Sequence, residues 1–217
     1  MKAPQFWYEP NTWKAKFLYP LGYFYNLLTL LRGKLAKPQS YSCLTICIGN
    51  LNVGGTGKTP TTIALAQHFL KKGLQVHVVS RGYKGKFQGT FLVDPQKHKS
   101  DEVGDEPLFI SEFTSVWVSN KRKNGIAAAE NAGAQIVLLD DGFQDPSFHK
   151  DFSLIVVDGE KGFGNKKCMP AGPLRENIVQ GFKRADALVI VGERIYKFDT
   201  FPTHLKIIHS TLKPIET

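Results

Sequence analysis

Hydrophobic positions along the chain gather into short apolar runs separated by amphipathic stretches. Residues 44–48, 75–79, 135–139, 154–157 and 187–191 are dominated by Val, Ile and Leu and predict buried strands. Residues 115–118 read as extended, 91–93 as a short strand and 205–209 as a last one. Between them, 58–72, 106–113 and 122–132 read as helices, the first and third stopped by Gly73 and Gly133. Apolar strands alternating with helices predict an α/β fold, a mostly parallel sheet with helices on both faces. No internal repeat or low-complexity segment interrupts this pattern.

The first 40 residues follow a different rule. From Phe17 to Leu31 only Pro20, Gly22, Asn26 and Thr29 break an apolar run, which Lys16 and Arg32 bound. That run is shorter than the roughly 18 residues a spanning helix needs. Nine of the 25 aromatic residues lie within residues 1–40, and six Lys/Arg against one acid give this stretch +5 of the net +9. Trp and Tyr favour the bilayer interface and Lys/Arg favour anionic headgroups, so the segment reads as a helix lying in a membrane surface. The alternative is a core helix with a basic outer face. The aromatics alternate with Leu rather than with Arg/Lys, which argues against nucleic acid as a partner. No small-residue cleavage site follows the apolar region, so a leader peptide is not expected. Lys37-Pro38-Gln39-Ser40 reads as a linker, dividing the chain into a membrane-associating segment, 1–40, and an α/β domain, 41–217.

Composition adds exclusions. The 217 residues are 42% hydrophobic and 22% charged, the balance of a globular chain rather than a disordered or fibrous one. Three cysteines, Cys43, Cys47 and Cys168, form no CxxC pair, so neither a disulfide framework nor a zinc ribbon is expected.

The candidate chemistry begins after the first strand. Asn52-Val53-Gly54-Gly55-Thr56-Gly57-Lys58-Thr59 matches the phosphate-loop pattern GxxxxGK[ST], except that Asn52 stands in the place of the first Gly. Glycines let backbone N–H groups turn toward an anion, and the following helix adds its positive end. In such a P-loop NTPase-like fold Lys58 is placed to reach the β- and γ-phosphates of a nucleoside triphosphate, and Thr59 to ligate Mg²⁺. Asn tolerates left-handed angles better than most residues, so the loss of the glycine at position 52 is tolerable. A second Mg²⁺ ligand belongs at the end of an apolar strand, where Asp140 and Asp141 stand; the sequence leaves open which of them holds the metal. Val53 stands where partitioning-type ATPases carry Lys, and Asn120-Lys121-Arg122-Lys123 lacks the Asp of a GTPase base-reading motif.

Further segments are too particular for generic P-loop chemistry. They are Gly49-Asn50, Thr59-Pro60, Ser80-Arg81-Gly82-Tyr83-Lys84-Gly85, Gly104-Asp105-Glu106-Pro107, Asp140-Asp141-Gly142-Phe143-Gln144 and Met169-Pro170-Ala171-Gly172-Pro173-Leu174-Arg175-Glu176. In this order and spacing the set closely resembles the tetraacyldisaccharide 4′-kinase family, from the aromatic N-terminus to about Glu176. The resemblance implies a Gram-negative enzyme at the cytoplasmic face of the inner membrane, peripheral or monotopic. It would use ATP and Mg²⁺ to phosphorylate the 4′-hydroxyl of a tetraacyldisaccharide 1-phosphate, giving lipid IVA in lipid A biosynthesis. It also implies that Asp105 orients or deprotonates the sugar hydroxyl, that Arg81 meets a phosphate or an acidic partner, and that Arg175 and Glu176 lie on the substrate side. The plainer alternatives are a helix cap for Asp105, a surface position for Arg81, and an exposed helix start for Arg175 and Glu176. A monomer is expected.

The chain departs from the family at three places. Asp145 stands where a His normally follows the Asp-Asp-Gly-x-Gln segment, and Lys84 where a Gly is common. The family also continues into a second lobe with a Gly-Asn-Pro-type segment and a His pair that helps the catalytic Asp; this chain ends at Thr217 without them. A remnant that binds ATP and membrane but transfers poorly is therefore the alternative expectation, and an ATPase working in membrane assembly is a third.

Overall fold

The apolar runs become strands and the stretches between them become helices, each within a residue or two of its expected ends. The structure, a computed structural model, describes residues 3–83 and 85–213, so Lys84 lies outside the described residues. After a 3-10 turn at Gln5–Trp7 come α1 (Trp13–Leu35), β1 (Leu44–Gly49), α2 (Lys58–Lys71), β2 (Val76–Ser80) and β3 (Thr90–Leu92). Then follow α3 (Ser100–Val103), α4 (Asp105–Ser111), β4 (Ser115–Ser119), α5 (Arg122–Asn131), β5 (Ile136–Asp140), β6 (Phe152–Asp158), α6 (Ile178–Lys183), β7 (Ala187–Val191) and β8 (Lys206–Ser210). The turn-length helices α3 and α6 have no counterpart in the sequence reading, because one turn is too short to show a 3.6-residue period.

The chain forms two compact units. One comprises Lys37–Gly49 and Lys58–Phe152. Its strands lie in the order β3-β4-β2-β5-β1, all parallel except the edge pair β3/β4. Leu44 pairs with Ile136 and Ile48 with Asp140, while Val76 also pairs with Ile136, so β1, β2 and β5 end on the same edge of the sheet. The crossovers β1–α2–β2 and β4–α5–β5 run in opposite directions along the sheet. Because both are right-handed by the general rule, they carry α2 and α5 to opposite faces. This double cover explains why β2 and β5 are buried along their whole length.

The other unit comprises Met1–Ala36, Asn50–Gly57 and Ser153–Thr217. Here β6, β7 and β8 run parallel, Leu154 pairing with Ala187 and Ala187 with Lys206. Phe163 meets Phe182, Tyr196 and Phe198 edge-on in an aromatic cluster. The helix α1 starts where Thr12 accepts a hydrogen bond from the N–H of Ala15 and continues through Pro20 to Leu35. A narrow stripe of small residues, Ala15 and Gly22, is buried, whereas Trp13, Phe17, Leu21, Phe24 and Leu28 are exposed. Among the described residues no helix is long and apolar enough to cross a membrane.

Candidate active site

The phosphate loop leaves β1 and enters α2. Gly54 and Gly57 have φ of 118° and 86°, angles a side chain would resist, so the glycines are used for backbone curvature. Asn50, fully buried, donates from Nδ2 to the Gly54 carbonyl (3.1 Å) and to Thr56 Oγ1 (3.2 Å), tying the loop across its own base. Asn52 does not use the left-handed conformation that its residue type tolerates. It forms an antiparallel bridge with Leu174 and donates from Nδ2 to the Gly162 carbonyl at 2.8 Å. The bridge holds its backbone, and a side-chain hydrogen bond that glycine lacks anchors it. Val53 and Thr56 complete the loop, Gly55 is exposed, and the chain passes directly into Lys58 and Thr59 at the start of α2.

Within the larger parallel sheet, Lys58, Asp140 and Asp141 come together. Lys58 Nζ lies 3.5 Å from Asp141 Oδ1. Asp141 has φ +55°, a left-handed conformation that Asp adopts more readily than most residues; its N–H bonds to the Ile48 carbonyl at 2.9 Å. Asp140 is 2% exposed at the carboxyl end of β5. Its Oδ2 accepts from Ser80 Oγ (3.2 Å), and its Oδ1 is buried with no hydrogen-bond partner among the described residues. Burial, helped by the nearby charges of Glu106 and Asp141 and opposed by Lys58 and Arg122, pushes the Asp140 carboxyl up to about 6.

Arg122, at the start of α5, was not singled out in the sequence as a site residue. It is buried and donates from Nη2 to the carbonyls of Asp140 (3.3 Å) and Asp141 (2.7 Å), while Nη1 lies 3.5 Å from Asp145 Oδ2. Burial raises the Asp145 carboxyl, but the Ser147 hydrogen bonds and the Arg122 charge outweigh it and hold the group below its usual range. Asp145, in the position usual for His, is thus the acid that neutralises Arg122. The only sequence signal was a lone Arg at a predicted helix start, indistinguishable from a surface residue.

Asp105 is the first residue of α4 and is exposed; the cap position belongs to Gly104, with φ 92°. Among the described residues its carboxylate has no hydrogen-bond or ion-pair partner, so the capping alternative does not describe it. Arg81, just beyond β2, is exposed. Arg175 and Glu176 lie in the other unit. Arg175 is half-buried and its N–H donates to the Leu51 carbonyl at 2.7 Å. Glu176 is 3% exposed and ion-paired with Arg184.

The donor set suits a hard cation. Asp140 offers a desolvated oxygen with no hydrogen-bond partner among the described residues, and Thr59 follows Lys58 in the first turn of α2. No group of three or more His, Cys, Asp or Glu gathers among the described residues. Few protein oxygens, with the remaining positions left to phosphate and water, is the usual way Mg²⁺ is held.

Residues 14–217 match the model of the family described as tetraacyldisaccharide-1-P 4′-kinase. The chain is 49% identical to the tetraacyldisaccharide 4′-kinase of Dinoroseobacter shibae over 88% of its own length and 58% of that protein's. It is 44% identical to that of Jannaschia sp. over 100% of its length and 68% of the relative's. The chain therefore spans roughly three-fifths to two-thirds of the curated relatives it matches. Among solved structures it superposes on LpxK from Aquifex aeolicus, determined in complex with ATP. The TM-score is 0.77 and the identity 32%, covering 90% of this chain and 64% of that one.

Proposed function

Because the chain belongs to the tetraacyldisaccharide-1-P 4′-kinase family, we propose that it transfers the γ-phosphate of ATP to the 4′-hydroxyl of a tetraacyldisaccharide 1-phosphate, forming lipid IVA. The observation that carries this reading is the meeting of Lys58, Asp141 and the desolvated Asp140 at the carboxyl ends of β1 and β5, directly after a phosphate loop. Open parallel sheets bind ligands at that edge. ATP in the structure of the Aquifex relative supports the same use of the loop here.

In this reading the amides of residues 52–57 and the ammonium of Lys58 bind the β- and γ-phosphates. Lys58 also balances charge that spreads over the transferring group. Mg²⁺, held by Thr59 and Asp140, supplies charge neutralisation for the phosphates. Asp141 orients Lys58, and Arg122 fixes the backbone of both aspartates through their carbonyls. The carboxylate of Asp105, with no partner among the described residues, takes the proton of the 4′-hydroxyl as its oxygen bonds to the γ-phosphorus and the bond to ADP breaks. Arg81 meets a phosphate, and Arg175 with Glu176 serves the substrate side. The exposed apolar face of α1 seats the protein, as a monomer, on the anionic cytoplasmic surface of the inner membrane.

The test is transfer of labelled phosphate from ATP to tetraacyldisaccharide 1-phosphate by the purified protein. Lys58→Ala is expected to lose both nucleotide binding and transfer. Asp105→Ala should lose transfer by at least about 100-fold while keeping nucleotide affinity within about twofold. A parent protein that binds ATP without transferring phosphate overturns the kinase reading, and near-normal transfer in Asp105→Ala overturns the base assignment.

A further inference from the structure

Asn26 is a polar residue in the middle of an otherwise lipid-seeking helix, and it is turned inward. Its Oδ1 accepts a hydrogen bond from the N–H of Asn177 at 2.9 Å, across 151 residues of sequence. Asn177 in turn caps α6, accepting from the N–H of Val179 at 2.9 Å. One turn before Asn26, Gly22 lies so close to the same segment that a Cβ there would stand 2.7 Å from the Cys168 carbonyl oxygen. Further toward the N-terminus, Trp7 Nε1 donates to the Pro170 carbonyl at 3.0 Å. Residues 168–177 are thus gripped at three points by the N-terminal segment.

The same residues are bonded on their other side to the root of the phosphate loop. Val53 donates to the Pro173 carbonyl (2.8 Å), Arg175 donates to the Leu51 carbonyl (2.7 Å), and Asn52 bridges Leu174. Both sets of contacts belong to one compact unit. We propose that Asn26 is a positioning residue for the nucleotide: through the 168–177 segment it fixes residues 51–53 and hence the curvature of the loop that follows. The chemistry favours this over a tether. A helix needed only for lipid contact gains nothing from an inward amide in mid-length, whereas a hydrogen bond across 151 residues ties that helix to the segment that carries the loop root. The inference rests on the proposed function only in taking the loop as a nucleotide site.

The experiment measures the Kd of the full chain for a fluorescent, non-hydrolysable ATP analogue with Mg²⁺, well below the unfolding temperature. Asn26→Leu removes the acceptor but keeps the helix, and should weaken binding about fivefold, the loss of one supporting hydrogen bond. Asn26→Asp keeps an acceptor oxygen and should restore affinity to within about twofold of the parent. Affinity in Asn26→Leu within twofold of the parent, or Asn26→Asp as weak as Asn26→Leu, overturns the proposal, since a merely structural contact would not move a Kd that the acceptor rescues. If Asn26→Leu does not fold, Trp7→Phe tests the other end of the same segment; unchanged affinity there overturns the proposal. A parent that binds the analogue but transfers no phosphate refutes the kinase reading alone, and a parent that binds no analogue refutes both.

Discussion

Asp140 and Asp141 are adjacent in sequence and opposite in environment. The first is sealed at the end of β5 and bonded to Ser80; the second turns out through a left-handed residue to meet Lys58. The sequence marked the pair, because two acids after four apolar residues have few uses, but it could not separate them. The separation depends on Ser80 and Arg122, which the tertiary fold brings from other elements. The raised Asp140 carboxyl has a pH consequence. Its folded value, about 6, lies above its ordinary 3.8, so its contribution to stability is complete below about 3.8 and is lost as pH rises through 6. The difference is worth on the order of 3 kcal/mol. Thermal unfolding of metal-free protein should show stability falling from pH 4 to 7 relative to Asp140→Asn, which keeps the shape without the charge. Parallel curves for the two proteins would show that Asp140 is not the group responsible. Added Mg²⁺ with nucleotide should reverse the loss in the parent and not in Asp140→Asn.

At the scale of the element, α1 joins two patterns. Its apolar run, basic ends and aromatics were legible from composition, and its outer face does carry Trp13, Phe17, Leu21 and Phe24 into solvent. Its full extent, Trp13–Leu35, and the inward stripe of Ala15, Gly22 and Asn26 were not, because small and polar residues on a helix acquire meaning only from what lies against them. If the outer face seats on lipid, charges placed there should release the protein. Phe17→Glu with Phe24→Glu is expected to lower affinity for phosphatidylglycerol vesicles at least about tenfold in a flotation assay, since each buried phenyl is worth roughly 2 kcal/mol. Nucleotide affinity should stay within twofold; unchanged vesicle binding would refute the seating. The loop root, residues 51–53, has the same double character. Its glycine-rich continuation was plain in the sequence, while the bridge that holds Asn52 was not.

At the scale of the whole chain, the net charge of +9 is uneven, with +5 in the first 40 residues. An anionic surface attracts such a segment by roughly 1 kcal/mol per basic residue at low salt, and the attraction is screened within a Debye length. Raising salt from about 0.1 to 0.5 M should therefore weaken binding to anionic vesicles severalfold and leave binding to neutral ones nearly unchanged. Equal salt response on both would assign the attachment to apolar contact alone. The sequence by itself determined the alternation of strand and helix, the phosphate loop, the carboxylates after β5 and the apolar, aromatic and basic character of the N-terminus. Each of these is written in neighbouring residues, where apolar period, glycine and charge act over one or two turns of chain. Only the tertiary structure decided which aspartate is desolvated, that Arg122 braces both, that Glu176 is committed to Arg184, and that Asn26 reaches Asn177. Those choices are hydrogen bonds and ion pairs between residues apart in sequence, and their partners are fixed by which strands and loops the folded backbone brings within hydrogen-bond reach of one another.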